Sequence, residues 1–517
     1  MPSAGRSTMT TTPEPMVTGS APPTVHAAER RLHPMSWLFV LLAQLRQFVV
    51  PLVALLVFGR GDRNELWPLI GVGVLVLAAV WQYFTFRYGV AGDALLVRKG
   101  LLERSVRVIP FARIHNVALQ QSLLHRLFGV AEVRLESAGG KKPEAEMRVL
   151  KLDDALALEQ LVRHRGQASA VDEVGAPSTP AVPEATTLLQ LPLGEVVRHG
   201  LVSNRGLIVV GAGVAGLSQI SPRLLPNLFE RWGEVLFGYA GSHDFGIAGY
   251  ALAAASLAVL AVALLRLLSV LLSLLQYYGF TLRESGRRLT VERGLLARWR
   301  TSASRRRIQA WTLYEGLTHR LLRRRSLHVD TAVAEEQQQQ RALRELAPIA
   351  TPQACDRLIA HLLPKADWAG QAWRPIPVHN WWRLFLPGMP WILVVGGVAG
   401  WRFGAWGLLA VPWLAWSAYA ARQHARRAAY AVNDQLVAVR GGWWSRWWRF
   451  AEIDKLQAVS LSVSPLDRRC GTATLWLDTA GATPMGPSLR IRFLPTDEAR
   501  ALHDTLAATL SRRPLRW

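Results

Sequence analysis

A segment of about 40 residues occurs three times in this chain, each time just downstream of a pair of hydrophobic stretches. Whatever fold the chain adopts must build one hydrophobic hairpin and one soluble domain three times over. The copies open at Gly100, Gly294 and Gly442. Overlaid without gaps, they align Arg113-Ile114 with Arg307-Ile308 and Lys455-Leu456, then His125-Arg126 with His319-Arg320 and Asp467-Arg468. The register ends on Glu136-Ser137-Ala138, Asp330-Thr331-Ala332 and Asp478-Thr479-Ala480. Upstream, Tyr88 and Tyr430 lie twelve residues before their glycine and Tyr278 sixteen before its own, which predicts a four-residue hairpin insertion in copy two.

Half of the 517 residues are hydrophobic and only 19% are charged, so part of the chain must sit in lipid. Residues 1–29 are rich in Ser, Thr, Pro and Gly with no apolar run, and read as a disordered tail rather than a cleaved signal peptide. The two cysteines, Cys355 and Cys470, form no disulfide framework, which suits a reducing compartment. Twenty-one tryptophans fit a chain with many bilayer–water boundaries.

Apolar stretches run over 37–58, 66–84, 205–220, 247–276, 384–401 and 405–420, most of them near the roughly 20 residues a spanning helix needs. Six transmembrane helices in three hairpins are therefore expected, with every soluble block on the side of the N-terminus. The short connections hold few basic residues and the blocks nearly all the others, so the positive-inside rule makes that side cytoplasmic. The boundaries read as a tail over 1–29, hairpin 30–86, domain 87–165, linker 166–187, hairpin 188–276, domain 277–365, hairpin 366–421 and domain 422–517.

Within each block, alternating or β-branched runs such as 94–97, 106–109, 131–135 and 489–493 predict a small antiparallel sheet. Helical patterns close the blocks over 152–164, over 352–363 after a Thr351 cap, and over 497–510 after Thr496. Ala499, Leu502, Leu506 and Leu510 form an apolar stripe that would plug one end of a short barrel.

The run from Pro110-Phe111-Ala112-Arg113-Ile114-His115 through Leu124-His125-Arg126-Leu127-Phe128-Gly129-Val130 to Leu135-Glu136-Ser137-Ala138-Gly139 resembles the bacterial pleckstrin-homology-like (YdbS/YdbT-type) membrane proteins. So does Arg31-Leu32-His33-Pro34, and the triplicated layout matches the long YdbT-like form. Copy two replaces Phe128-Gly129-Val130 with Leu322-Arg323-Arg324, and copy three has Asp467 in place of histidine. The resemblance implies a split barrel of about seven strands closed by a C-terminal helix. It also implies no catalytic activity, and a smaller single-domain relative as a partner.

Catalytic and cofactor signatures are absent: there is no HExxH, GxSxG or Walker A sequence, and His115, His125 and His319 lack a metal-ligand spacing. Gly211–Gly216 satisfies GxGxxG but lies inside a hydrophobic span, where close packing through small residues explains it. The net charge of +23 invites a nucleic-acid reading, but the basic residues lie in membrane-tethered blocks with no recognition helix. Basic clusters beside a membrane attract anionic headgroups, or simply hold a loop in the cytoplasm.

Arg113, Arg126, Arg307, Arg320, Lys455 and Arg468 recur at equivalent places. They either form a face for phosphate or a partner, or pair with Glu136, Asp330 and Asp478 within each barrel. Arg46 and Arg266 fall near the middle of their spans with no acidic residue in any span. They must use carbonyls, polar side chains or lipid phosphate, or else snorkel. Trp443, Trp444, Trp447 and Trp448 flank a hairpin that either dips into the headgroup layer or packs inward. Together these features describe a non-enzymatic, multivalent binding scaffold contacting membrane lipids and a protein partner, as a homo- or hetero-oligomer. The alternative is a lipid-handling or transport protein in which the spans act and the barrels regulate. Resistance to membrane-active peptides is compatible with either.

Overall fold

The computed structural model describes residues 30–42 apart from 32 and 40, single positions between 73 and 85, and 86–168 apart from 92–93, 100–104, 112–113 and 138–144. It also describes 185–220, scattered positions over 223–238, 246–331, 343–481 and 486–512. The tail, nearly all of the first hairpin, most of the linker and the run of glutamines at 337–340 lie outside the described residues.

The first domain starts with β1 (Arg30–Arg31), which pairs with β2 (Arg87–Ala91) across the whole first hairpin. β3 (Ala94–Lys99) and β4 (Ser105–Pro110) complete a four-stranded antiparallel sheet. After a corner at Phe111 come β5 (Ile114–Gln121), the short α1 (Leu123–Leu127), β6 (Val130–Ser137), β7 (Ala145–Lys151) and α2 (Leu152–Ala168). Alternation explains the core: Leu95, Val97, Ile109, Val117, Leu119, Val133 and Leu135 point inward, and Ala155, Leu158 and Val162 of α2 close the open end. This is the seven-strand split barrel with its C-terminal helix.

Copy two repeats the plan. β8 (Thr186–Gln190) precedes α3 (Leu193–Val202), α4 (Arg205–Ile220) and α5 (Ile247–Tyr277). Then come β9 (Thr281–Ser285), β10 (Arg288–Arg293), β11 (Arg298–Ser304), β12 (Ile308–Glu315), α6 (Leu317–Leu321), β13 (Arg325–Thr331), β14 (Glu345–Ala350) and α7 (Pro352–Leu362). The expected insertion is not there. Leu282 pairs with Val291 as Tyr88 pairs with Val97 and Tyr430 with Val439, so leucine holds the tyrosine position and Tyr278 precedes the strand.

Copy three holds β15 (Arg374–Pro375), α8 (Trp382–Phe385), α9 (Met389–Phe403) and α10 (Ala410–Arg427). β16 (Ala429–Val432), β17 (Leu436–Gly441), β18 (Arg446–Glu452), β19 (Leu456–Ser462), α11 (Pro465–Cys470), β20 (Thr472–Thr479), β21 (Arg490–Pro495) and α12 (Thr496–Ser511) follow. Thr351 caps α7 by accepting from the Ala354 amide, whereas Thr496 is already helical and the cap position falls on Pro495.

The two sheets of a barrel are not joined at the split; instead sheets run on between neighbouring barrels, leaving β1–β4 of the first barrel and β19–β21 of the third as separate sheets. β5 pairs with β11, giving the seven-stranded order β7-β6-β5-β11-β10-β9-β8, and β12 pairs with β18, giving β14-β13-β12-β18-β17-β16-β15. Ala431, Leu436, Ala438 and Phe450 of copy three accordingly belong to the core of copy two.

Six full spans are not found among the described residues. α5 is long and apolar enough, with a mean hydropathy of 2.6, and α3 with α4 forms a bent pair that passes as one span with a 52° break. Met389–Arg427 is also apolar enough overall, but Gly396 lies against Ala410 and Gly400 against Gly407, a proximity impossible along one straight helix. The chain reverses at Gly404, whose φ is +61°, and the 15 residues of α9 reach only about 22 Å, short of a hydrocarbon core of about 30 Å. Gly211, Gly213 and Gly216 face open space; close helix contact is made instead by Gly200 against Val270 and Gly206 against Ser269.

Candidate functional site

Three kinds of contact tie the repeated residues together. The first joins each barrel to the helix that leads into its hairpin, at or just after the short helix carrying the His/Asp-Arg pair. In copy one, Phe39 meets the rings of His125 (centroids 4.2 Å apart) and Phe128 (6.2 Å). In copy two, Glu195 of α3 accepts two bonds from the Arg324 guanidinium, at 2.7 and 2.9 Å. In copy three the polarity is reversed: Arg383 of α8 donates to Asp467 at 2.7 Å, with both side chains nearly buried. Burial alone would raise the Asp467 carboxyl, but bonds from Ser464, Arg383 and Thr472 outweigh it and hold it at about 2. The departure from histidine at 467 thus exchanges an aromatic contact for a charged one.

The second kind joins barrel to barrel. Arg126 donates to the Leu295 carbonyl and Arg320 to the Trp444 carbonyl, each 3.0 Å away in the next copy. Asp330 pairs with Arg449 of the next copy at 2.6 Å, and Arg449 also donates to the Thr312 hydroxyl. Trp311 and Phe450 stack across this joint with an interplanar angle of 4°. The first joint uses Arg300 against the nearly buried Glu159 instead. Of the other repeated cations, Lys455 donates to the Arg306 carbonyl, and Arg307 is half-buried, pulled down to about 10 by burial and by Arg288. Arg113 and Arg46 lie outside the described residues.

The third is a cleft of about 640 Å³ where α10 meets the third barrel. Its walls are apolar, from Leu384, Trp416, Ala420, Val439, Trp447 and Phe493. Its charged groups among the described residues are Arg440, Arg490 and Arg492, with His424 nearby and no carboxylate. Burial pulls the Arg440 and Arg490 guanidiniums down from their ordinary value. Arg440 stacks over Trp373 and Arg490 over Trp476, each at 4.8 Å, which fixes their planes. Trp443 and Trp444 pack beside the cleft on Trp416 and Tyr419 of α10, with Trp444 exposed. Trp447 packs on the third core and Trp448 lies between Arg325 and Arg427.

Arg266 donates to the Leu201 and Ser203 carbonyls and the Asn204 side chain, in the break between α3 and α4. Sequence reasoning missed Arg449, Arg383 and Glu345. Glu345, at the foot of α5, is bonded by Arg293 and the Tyr277 hydroxyl. Burial works to raise it, yet Arg293, with His328, Tyr277 and Arg205, holds it at about 2.

The transmembrane protein YdbT of Bacillus subtilis (strain 168) is 20% identical over 309 residues, 56% of this chain and 60% of that protein's length. No solved structure matches. The family model described as bacterial PH domain matches three times, over residues 38–166, 238–362 and 384–510. With most of its length accounted for by three such matches, the chain belongs to the bacterial PH domain family.

Proposed function

We propose that the chain is a non-enzymatic membrane scaffold, with its barrels cytoplasmic at the bacterial inner membrane, that binds anionic lipid headgroups and a protein partner. The observation that carries this reading is the sharing of sheets: strand pairing welds three barrels into one platform, so weak contacts on it act together. The cleft beside α10 supplies the lipid site, because apolar walls take acyl chains while three arginines, with no carboxylate among the described lining residues, take phosphate. Mild-detergent purification from the native membrane, with mass spectrometry of retained lipids and proteins, tests it. The expected result is an enriched anionic phospholipid that is lost on R440E together with R490E; equal retention by wild type and variant would sink the lipid site.

A transport reading draws on one observation, the broken helix at Ser203–Asn204 with Arg266 in the break. R266L discriminates: under the scaffold reading it leaves lipid and partner retention unchanged, whereas loss of a phenotype with retention intact would move the activity into the membrane.

A further inference from the structure

We propose that the two outer edges of this chain, β4 of the first barrel and β19 of the third, are complementary, and that β19 of one molecule adds to β4 of a second copy as a third joint. This rests on the scaffold reading and names its protein partner. Among the described residues nothing pairs with the outer edge of either strand. In the repeat, β4 is the counterpart of β11 and β18, and β19 the counterpart of β5 and β12, so the two edges left open among the described residues are the two halves of a joint the chain makes twice internally.

The internal joints share one register. Trp299 faces Gln120, Arg300 Leu119, Thr301 Ala118 and Ser302 Val117 in the first. In the second, Trp447 faces Tyr314, Trp448 Leu313, Arg449 Thr312 and Phe450 Trp311, which are the same repeat positions. Carried to the outer edges, that register sets Val106 against Leu461, Arg107 against Ser460, and Val108 against Val459. The apolar pairs match, and Val106 and Val108 are 41% and 48% exposed, whereas Phe450, the counterpart of Val108, is buried.

The polar pattern matches as well. Arg107, Ser460 and Asp478 occupy the positions of Arg449, Thr312 and Asp330, the bonded triad of the second joint. Arg107 and Asp478 are exposed and have no partner among the described residues. Arg468 occupies the position of Arg126 and Arg320, which donate to the following copy, and likewise has no partner among the described residues. Two open edges of this kind invite strand addition, and a head-to-tail contact of unlike surfaces builds a row or a ring.

The test uses full-length protein in its membrane with Cys470→Ser; Cys355 is buried, its thiol pushed up to about 12. V108C and V459C are placed on separately tagged chains. Facing positions across antiparallel strands lie about 5 Å apart, within disulfide reach. Oxidation is expected to give a dimer carrying both tags when the chains are co-expressed, and none from either chain alone. R107D on one chain should cut it about tenfold by breaking a desolvated pair, and D478R on the other should restore it. Light scattering of the unmodified protein in detergent should give multiples of 57.3 kDa. A constant monomer mass, no mixed dimer, or equal dimer from V108C alone overturns the proposal. A cross-link from V108C to a smaller endogenous barrel protein also overturns self-pairing while leaving the scaffold reading standing. Absence of any retained protein or lipid would fail the scaffold reading separately.

Discussion

Gly294 and Gly442, where two of the copies open, have φ values of +113° and +81°, and a Cβ there would lie 1.9 Å from the carbonyl oxygen of Ala297 and Ser445. Only glycine accepts that turn, which is why the repeat is anchored on it. G442A should destabilise the third barrel by about 1–3 kcal/mol, read as a lower midpoint in thermal unfolding in detergent. Asp467 makes a sharper case. Removing its charge in D467N strands Arg383 in a buried site, at a cost of about 3–5 kcal/mol. The pH dependence follows from the same contact. A carboxyl held at about 2 against an ordinary 3.8 stabilises fully above its ordinary value, and that stability is lost as pH falls toward 2. Acid unfolding of the third barrel should therefore steepen below about pH 4 in the wild type, and D467N should flatten that limb.

Among elements, the joints between barrels carry most of what is unusual. F450A removes the ring stacked on Trp311 in a buried seam and should cost about 3–5 kcal/mol, with faster hydrogen exchange confined to β12 and β18. The strands over 94–97, 106–109 and 131–135 were legible because alternation is local, and so was α7, with its Thr351 cap and following proline. The joints were not. Pairing β5 with β11 brings together residues nearly two hundred apart, and nothing in a local period encodes it. Arg449 is one basic residue among 60, and although Arg107 shares its repeat position, Thr301 holds that place in copy two, so a three-way overlay conceals the pattern. The close-packed glycines were misplaced for a related reason. A small-residue motif says that helices can approach, and only the partner helix decides which glycines are used.

At the scale of the whole molecule, domains that share sheets are not separable parts. A chain ending at residue 365 would leave open the edge of β12 that pairs with β18, exposing Trp311 and Leu313, which the intact protein buries. Such a truncation is expected to aggregate or dimerise in size-exclusion chromatography, where a true modular domain would elute as a monomer. Each barrel also takes its first strand, β1, β8 or β15, from upstream of its own hairpin. The ribosome therefore releases the opening strand, then the membrane segment, and only afterwards the six strands that complete the barrel. No barrel can close until its hairpin has been handed to the insertion machinery, so the fold itself makes correct delivery to the bilayer a precondition for a finished domain.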